Sequence, residues 1–181
     1  MKFDLGGRGK NKEFISVNME DDCDIQHDIL DVDGFIPNDD VVSEFRLIHT
    51  LEHVPTAVYV SFLKTLKRKL KVGGKISVVL TDAEAAITMW RENILSFRAM
   101  KKILFPPAQH TGSNQLMAHH NMWNTLDLAR DFQALGFETY SFNAGFWLFD
   151  LTDEFYPEEM EQFRGIKIKN IGVLAVLGGN E

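Results

Sequence analysis

The residues best equipped for chemistry in this chain are its six histidines and the carboxylates near them. The densest group is His49-Thr50-Leu51-Glu52-His53, which spells the H-x-x-E-H pattern of one class of zinc hydrolase. On a continuous helix that spacing sets two imidazoles on one face, with the glutamate beside them and a third ligand supplied from elsewhere. The flanks argue against a helix. The preceding FRLI reads as a strand, and Pro55 suits the first turn of a following helix while disfavouring α conformation just before itself. The motif therefore reads as the turn leaving a strand. The expectation is that it holds no metal and that chelators do nothing, which leaves a zinc hydrolase built on His49, Glu52 and His53 as the disfavoured reading.

A second group is Gly6-Gly7-Arg8-Gly9, entered directly from the apolar-edged KFDL. A glycine turn after a first strand is how an α/β sheet brings backbone N–H groups close to a nucleotide-like ligand at the carboxyl edge of its strands. Glu20, ending FISVNME, stands where a carboxylate could accept both hydroxyls of a ribose. A dinucleotide fingerprint is not met, because Lys12 occupies the third glycine position and Glu20 arrives sooner than the usual twenty or so residues. No G-x-x-x-x-G-K-[ST] phosphate loop occurs.

These groups need elements to position them. Strands are predicted at KFDL, FISVNM (14–19), DIQHDI (24–29), VSEFRLIH (42–49), KISVVL (75–80), FETYSFN (137–143) and NIGVLAVL (170–177). Val58, Phe62, Leu66 and Leu70 recur every four residues after Pro55, predicting a helix that Gly73-Gly74 would stop. Residues 82–105 read as a helix and 106–115 as a loop. A last helix is predicted over 125–135, with Asn124 or Thr125 as N-cap and Gly136 just past its end. The aromatic and acidic stretch 145–163 has no clear pattern and reads as an insertion. Strand, helix, glycine and strand in that order predict a parallel α/β sheet. Only Gly6 to Glu13 separate the first two strands, whereas a parallel crossover normally takes a dozen residues or more, so the first crossover helices should be short or vestigial.

The 181 residues, 45% hydrophobic and 25% charged, fit one soluble globular domain. A net charge of -7 disfavours a nucleic-acid partner. The one basic run, KTLKRKLK (64–71), has helical spacing and reads as a solvated face. Cys23 is the single cysteine, which excludes an internal disulfide and fits a reducing, cytoplasmic setting. No apolar run is long enough to span a bilayer and no signal-like segment opens the chain, so no membrane partner is expected.

Taken together, KFDLGG, VNME, HDILD, FRLIHTLEHV and LKRKLKVGGKISVVLTD resemble the class I S-adenosylmethionine-dependent methyltransferases, and in particular a compact branch with a Leu-Glu-His signature after the fourth strand. The resemblance covers residues 2–82 and extends more weakly over AHHNMWNTLDLARDFQALGFETYSF. It implies a single-domain Rossmann-like fold whose mostly parallel sheet ends in an antiparallel strand. Residues 1–82 would form the cofactor half, 83–123 a substrate-capping insertion, and 124–181 the C-terminal helix and strands. The cofactor implied is S-adenosyl-L-methionine. Asp4, Gly6, Gly7 and Gly9 match its glycine loop, Glu20 its ribose carboxylate, Asp28 and Ile29 the pair flanking adenine, and His49 a residue facing it. Arg8 stands where the family has its second loop glycine, and Ser43 roughly where an acidic residue often begins the fourth strand.

The activity implied is methyl transfer to a small-molecule or glycan-like acceptor. An acceptor that must lose a proton calls for a base, and histidine suits neutral pH. His119 and His110 are the candidates, with His49 and His120 also near the predicted carboxyl edge. For each, a hydrogen-bonded structural histidine is the blander reading and the one the residue type favours. Trp90, Trp123 and Trp147 could line an acceptor pocket or belong to the core. Arg8 and Ser43 motivate an alternative: a degenerate S-adenosylmethionine-binding module without turnover.

Overall fold

A computed structural model describes residues 1–9, 11–105, 119–149 and 156–179. Seven strands form one sheet in the order β3-β2-β1-β4-β5-β7-β6. Strands β1 (Lys2–Leu5), β2 (Ile15–Asn18), β3 (Ile25–Gln26), β4 (Val42–Ile48) and β5 (Leu70–Thr81) pair in parallel. The last strand, β7 (Lys167–Leu177), inserts antiparallel between β5 and β6 (Phe137–Leu148). The chain is thus an α/β domain with a mostly parallel Rossmann-like sheet and one antiparallel strand. No helix among the described residues is long and apolar enough to cross a membrane.

Among the described residues no helix joins β1 to β2 or β2 to β3, and the four-residue α1 (Val32–Phe35) alone precedes β4. Short strands make this feasible. A four-residue strand such as β1 spans roughly 13 Å at 3.3 Å per residue, a return path that a loop covers without a helix. The β2–β3 loop is clipped instead by side chains: Asp24 Oδ2 accepts from Ser16 N at 2.8 Å and Ser16 Oγ at 2.7 Å.

The missing helices leave the sheet two unlike faces. Phe3, Leu5, Val17, Phe45, Leu47, Ile76, Val78, Leu80, Ile171 and Val173 point to one side, buried with Phe62, Leu63 and Leu66 of α2 (Thr56–Lys69) and Leu128 and Phe132 of α5 (Thr125–Ala134). Each such fully buried side chain contributes at most about 1.5–3 kcal/mol. On the other face a cluster of charged residues stands on β1, β4 and β5. Glu44 bridges Lys2 at 3.4 Å and Lys75 at 3.5 Å, Asp4 pairs with Arg46, and the Arg46 guanidinium lies 4.4 Å from the Phe14 ring centroid.

Helix α2 ends before the glycines predicted to stop it. Leu70 is already extended (ψ 135), and the Arg68 and Lys69 carbonyls accept from Asp40 N and Val41 N, which turns the chain directly into β5. Gly73-Gly74 instead serve a bulge, where β5 shifts register from Val42↔Leu70 to Glu44↔Lys75 and Gly73 adopts φ +75. The long helix expected over 82–105 is two helices, α3 (Ala83–Arg91) and α4 (Phe97–Leu104). Asn93 at φ +60 breaks the run, and the Ser96 side chain caps α4 by accepting from Ala99 N. Strand β6 runs five residues past the predicted Asn143 to Leu148, and Pro157–Glu161 forms the short helix α6. Together α3, α4, α6 and the far ends of β6 and β7 enclose a second small core around Ala86, Ala99, Ile103, Phe149, Phe163 and Ile168.

Candidate active site

The glycine turn sits where β1 and β4 end side by side. Thr50, only 5% exposed, directs Oγ1 to the Leu5 carbonyl at 2.9 Å and lies 3.1 Å from that of Ile48, tying the two strands together. That clamp leaves no room beside the turn. A Cβ on Gly6, which has φ +80, would meet Thr50 Oγ1 at 2.5 Å, and one on Gly7 would meet Asp4 Oδ2 at 2.2 Å. Gly6 N donates to Val17 O at 2.8 Å, so the turn is also held to β2. Asp4 is buried beneath it, its carboxylate engaged by Arg46. That bond raises the Arg46 pKa against the opposing cost of burial.

Glu20 follows β2 at the same edge with its side chain about half exposed, and Oε2 pairs with Arg8 Nη2 at 3.1 Å. Arg8 Nε also lies 3.8 Å from Asp22. Gly9 turns at φ +62 against the β2–β3 loop, its Cβ position 3.3 Å from Asp22 O, away from Gly6 and Gly7. After β3, the Asp28 carboxylate accepts from Leu30 N at 2.9 Å, and Ile29 packs partly buried against the main core. Ser43 belongs elsewhere. At the amino end of β4, its N and Oγ donate to Met1 O at 2.8 and 2.9 Å, so it has no bearing on the carboxyl edge.

The HTLEH segment is the turn its flanks predicted. His49 follows β4 at φ +49, Leu51–His53 form a single 3-10 turn, and Pro55 precedes α2. His49 and His53 therefore do not share a helix face. Glu52 is the surprise, at 4% exposure, with Oε1 3.4 Å from His49 Nδ1 and Oε2 buried without a hydrogen-bond partner among the described residues.

His49, Glu52, Thr81, Lys102, Ile103, His119 and Trp147 line an open cavity of about 300 Å³. His119 is brought there from 67 positions beyond Glu52 because His120 N donates to the Glu52 carbonyl at 2.8 Å. His119 Nδ1 lies 2.9 Å from the Leu104 carbonyl, which can only accept, so that nitrogen carries the proton and Nε2 keeps its lone pair. Burial holds the His119 pKa below the ordinary histidine value, outweighing the charge of Glu52. The His53 ring meets it edge-on at 4.9 Å.

Two of the expected histidines thus meet, His49 and His119, while His120 points outward and His110 lies outside the described residues. Trp123 is core, donating to Asp131 at 2.8 Å, and Trp90 is part-exposed against Phe97. Sequence reasoning missed the burial of Glu52 and gave no place to Thr81, Lys102 or Ile103. Only the position of Glu52 next to two histidines signalled it.

No protein-family model matches this chain, and no curated protein does. Solved structures do match over nearly its whole length. An S-adenosylmethionine-dependent methyltransferase from Archaeoglobus fulgidus aligns over 97% of this chain and 85% of its own at 14% identity, TM-score 0.59. A protein from Bacillus halodurans provisionally assigned as a methyltransferase aligns over 98% and 92% at 16% identity, TM-score 0.62. A didemethyltoxoflavin N1-methyltransferase from Burkholderia thailandensis, solved with S-adenosylhomocysteine, aligns over 98% and 71% at 11% identity, TM-score 0.60. At such identities the likeness shows the fold alone, a Rossmann-like α/β architecture shared with these methyltransferases.

Proposed function

We propose that this chain is an S-adenosylmethionine-dependent methyltransferase acting on a small-molecule or glycan-like acceptor. The observation that carries the proposal is the Gly6-Gly7 turn, too crowded by Thr50 and Asp4 to admit a side chain, with an acidic residue at the end of the neighbouring strand. Such a turn offers backbone at close range to a nucleoside-like ligand, and Glu20 offers the diol acceptor a ribose needs. These residues fit the cofactor. When bound, it supplies a methyl group already activated on a sulfonium, so the protein's task is alignment.

In this reading Gly6 and Gly7 receive the cofactor's amino-acid end, Glu20 its ribose, and Asp28 and Ile29 its adenine. The acceptor enters the cavity lined by His49, Thr81 and Trp147. If the acceptor must lose a proton, His49 and His119 are the bases within that cavity. The net charge of -7 favours a neutral or cationic acceptor over a nucleic acid. One observation favours a second reading, a binding module without turnover: Arg8 already occupies the Glu20 carboxylate.

Calorimetry with S-adenosylmethionine and S-adenosylhomocysteine separates these from no function of this kind. The expected result is micromolar binding of both, weakened at least about tenfold in Glu20→Gln, the loss of roughly 1.4 kcal/mol expected of a charged diol contact. Binding without turnover on any of a broad acceptor panel favours the module. Absence of binding at high micromolar concentration overturns both.

A further inference from the structure

We propose that Glu52, His53 and His119 form a binding site for a divalent first-row transition ion. One donor atom from each, a carboxylate oxygen and two imidazole nitrogens, lies within 4.8 Å of the other two. Around an ion with bonds near 2.1 Å, neighbouring donors stand about 3–3.5 Å apart, so side-chain adjustments of about an ångström complete the sphere. The set is not the helical one that the HTLEH spelling suggests. Two of its members come from the 3-10 turn and the third from the segment returning after α4.

Two further observations point to a ligand. Glu52 is buried, and its Oε2 has no hydrogen-bond partner among the described residues. A carboxylate excluded from water is held only by a compensating charge or several donors; its other oxygen lies 3.4 Å from His49 Nδ1, and Lys102 lines the same cavity. A cation at Oε2 resolves the imbalance. His119, in turn, is set as a ligand usually is: its Nδ1–H is anchored on the Leu104 carbonyl, which fixes the ring and leaves the Nε2 lone pair to bind.

The donor types select the ion. Two nitrogens and one carboxylate oxygen suit Zn²⁺, Co²⁺, Fe²⁺ or Mn²⁺ better than Ca²⁺ or Mg²⁺, which favour oxygen throughout. The three donors among the described residues are fewer than a tetrahedral ion takes, and Glu52 and His119 both border the 300 Å³ cavity from which another ligand could come. With the ion in place His119 is a ligand and no longer a base, which leaves His49 as the cavity's remaining imidazole. This runs against the sequence expectation that no metal is held here. It requires nothing of the methyltransferase reading.

The test is a titration of tag-free, metal-stripped protein with Co²⁺ in the absence of S-adenosylmethionine. The expected result is one equivalent bound with a visible d–d absorption band, displaced by Zn²⁺, with a dissociation constant below about 10 μM. Glu52→Gln and His119→Ala should each weaken binding at least about tenfold, while His120→Ala, a neighbouring exposed histidine, should not change it. Wild-type protein that binds neither ion below about 100 μM overturns the site whatever the variants do, as does equal affinity in either folded ligand variant. Because cofactor is absent, failure here leaves methyl transfer untouched.

Discussion

Gly6→Ala tests the cramped turn on which the functional reading depends. Two independent costs apply. Gly6 sits at φ +80, where an L side chain crowds its own carbonyl at about 1–2 kcal/mol. Its new Cβ would also lie 2.5 Å from Thr50 Oγ1 and 3.0 Å from Thr50 Cγ2, and Thr50 cannot swing aside without releasing the Leu5 carbonyl that joins β1 to β4. Overpacking of that kind costs roughly 1–3 kcal/mol. The sum, about 2–5 kcal/mol, corresponds to a fall in Tm of roughly 5–15 °C for a domain of this size. Urea melts of Gly6→Ala, Thr50→Ala and the double variant separate the terms. With Thr50 truncated, only its Cβ at 3.3 Å remains, so Gly6→Ala should then cost only its backbone share, a coupling of about 1–3 kcal/mol. Equal costs in the two backgrounds would refute the crowding argument. A Gly6→Ala protein as stable as wild type would refute the turn geometry itself.

Arg8→Ala removes an exposed partner of Glu20, and exposed pairs contribute at most about 1 kcal/mol, so calorimetry should find S-adenosylmethionine binding up to about fivefold tighter and never abolished. Stability should also fall in acid through the cluster that ends α2. Hydrogen bonds from Lys69 and then Arg68 hold the Asp33 carboxyl below its usual range, and those from Arg68 and then Lys69 do the same for Asp39. A depressed carboxyl stabilises the fold above its unfolded pKa of about 3.9 and loses that contribution as pH drops through the lower folded value. Urea melts of wild type and Asp33→Asn/Asp39→Asn should therefore converge as pH falls below about 4, and parallel curves would refute the linkage.

The local signals in this sequence carried the fold, and contacts distant in sequence carried most of the site. Pro55, the four-residue spacing of Phe62 and Leu66, Asn124 as a cap and Gly136 as a stop each act within a turn or two of the chain, and each stands in the structure where its chemistry predicts. Gly73-Gly74 misled because a glycine pair serves a helix end or a bulge equally well. The choice fell to Asp40 and Val41, whose N–H groups took the last helical carbonyls.

The alternation of Lys2-Phe3-Asp4-Leu5 and Glu44-Phe45-Arg46-Leu47 is the sequence record of the missing helices. A strand covered on both faces by apolar helices has no reason to place a charge at every second residue, whereas here Asp4 and Glu44, though buried, pair with Arg46 and Lys2 on a face without a helix over them among the described residues. The burial of Glu52 left no such record. It depends on His119, fixed by Leu104 and by the hydrogen bond from His120, and no periodicity connects residues so far apart. The five letters HTLEH therefore joined two separate questions. Their spelling asked for a helix, which Pro55 excludes. Their side chains, once turned inward, present a buried carboxylate to a histidine from another part of the chain, so the metal question depends on the partner and not on the motif.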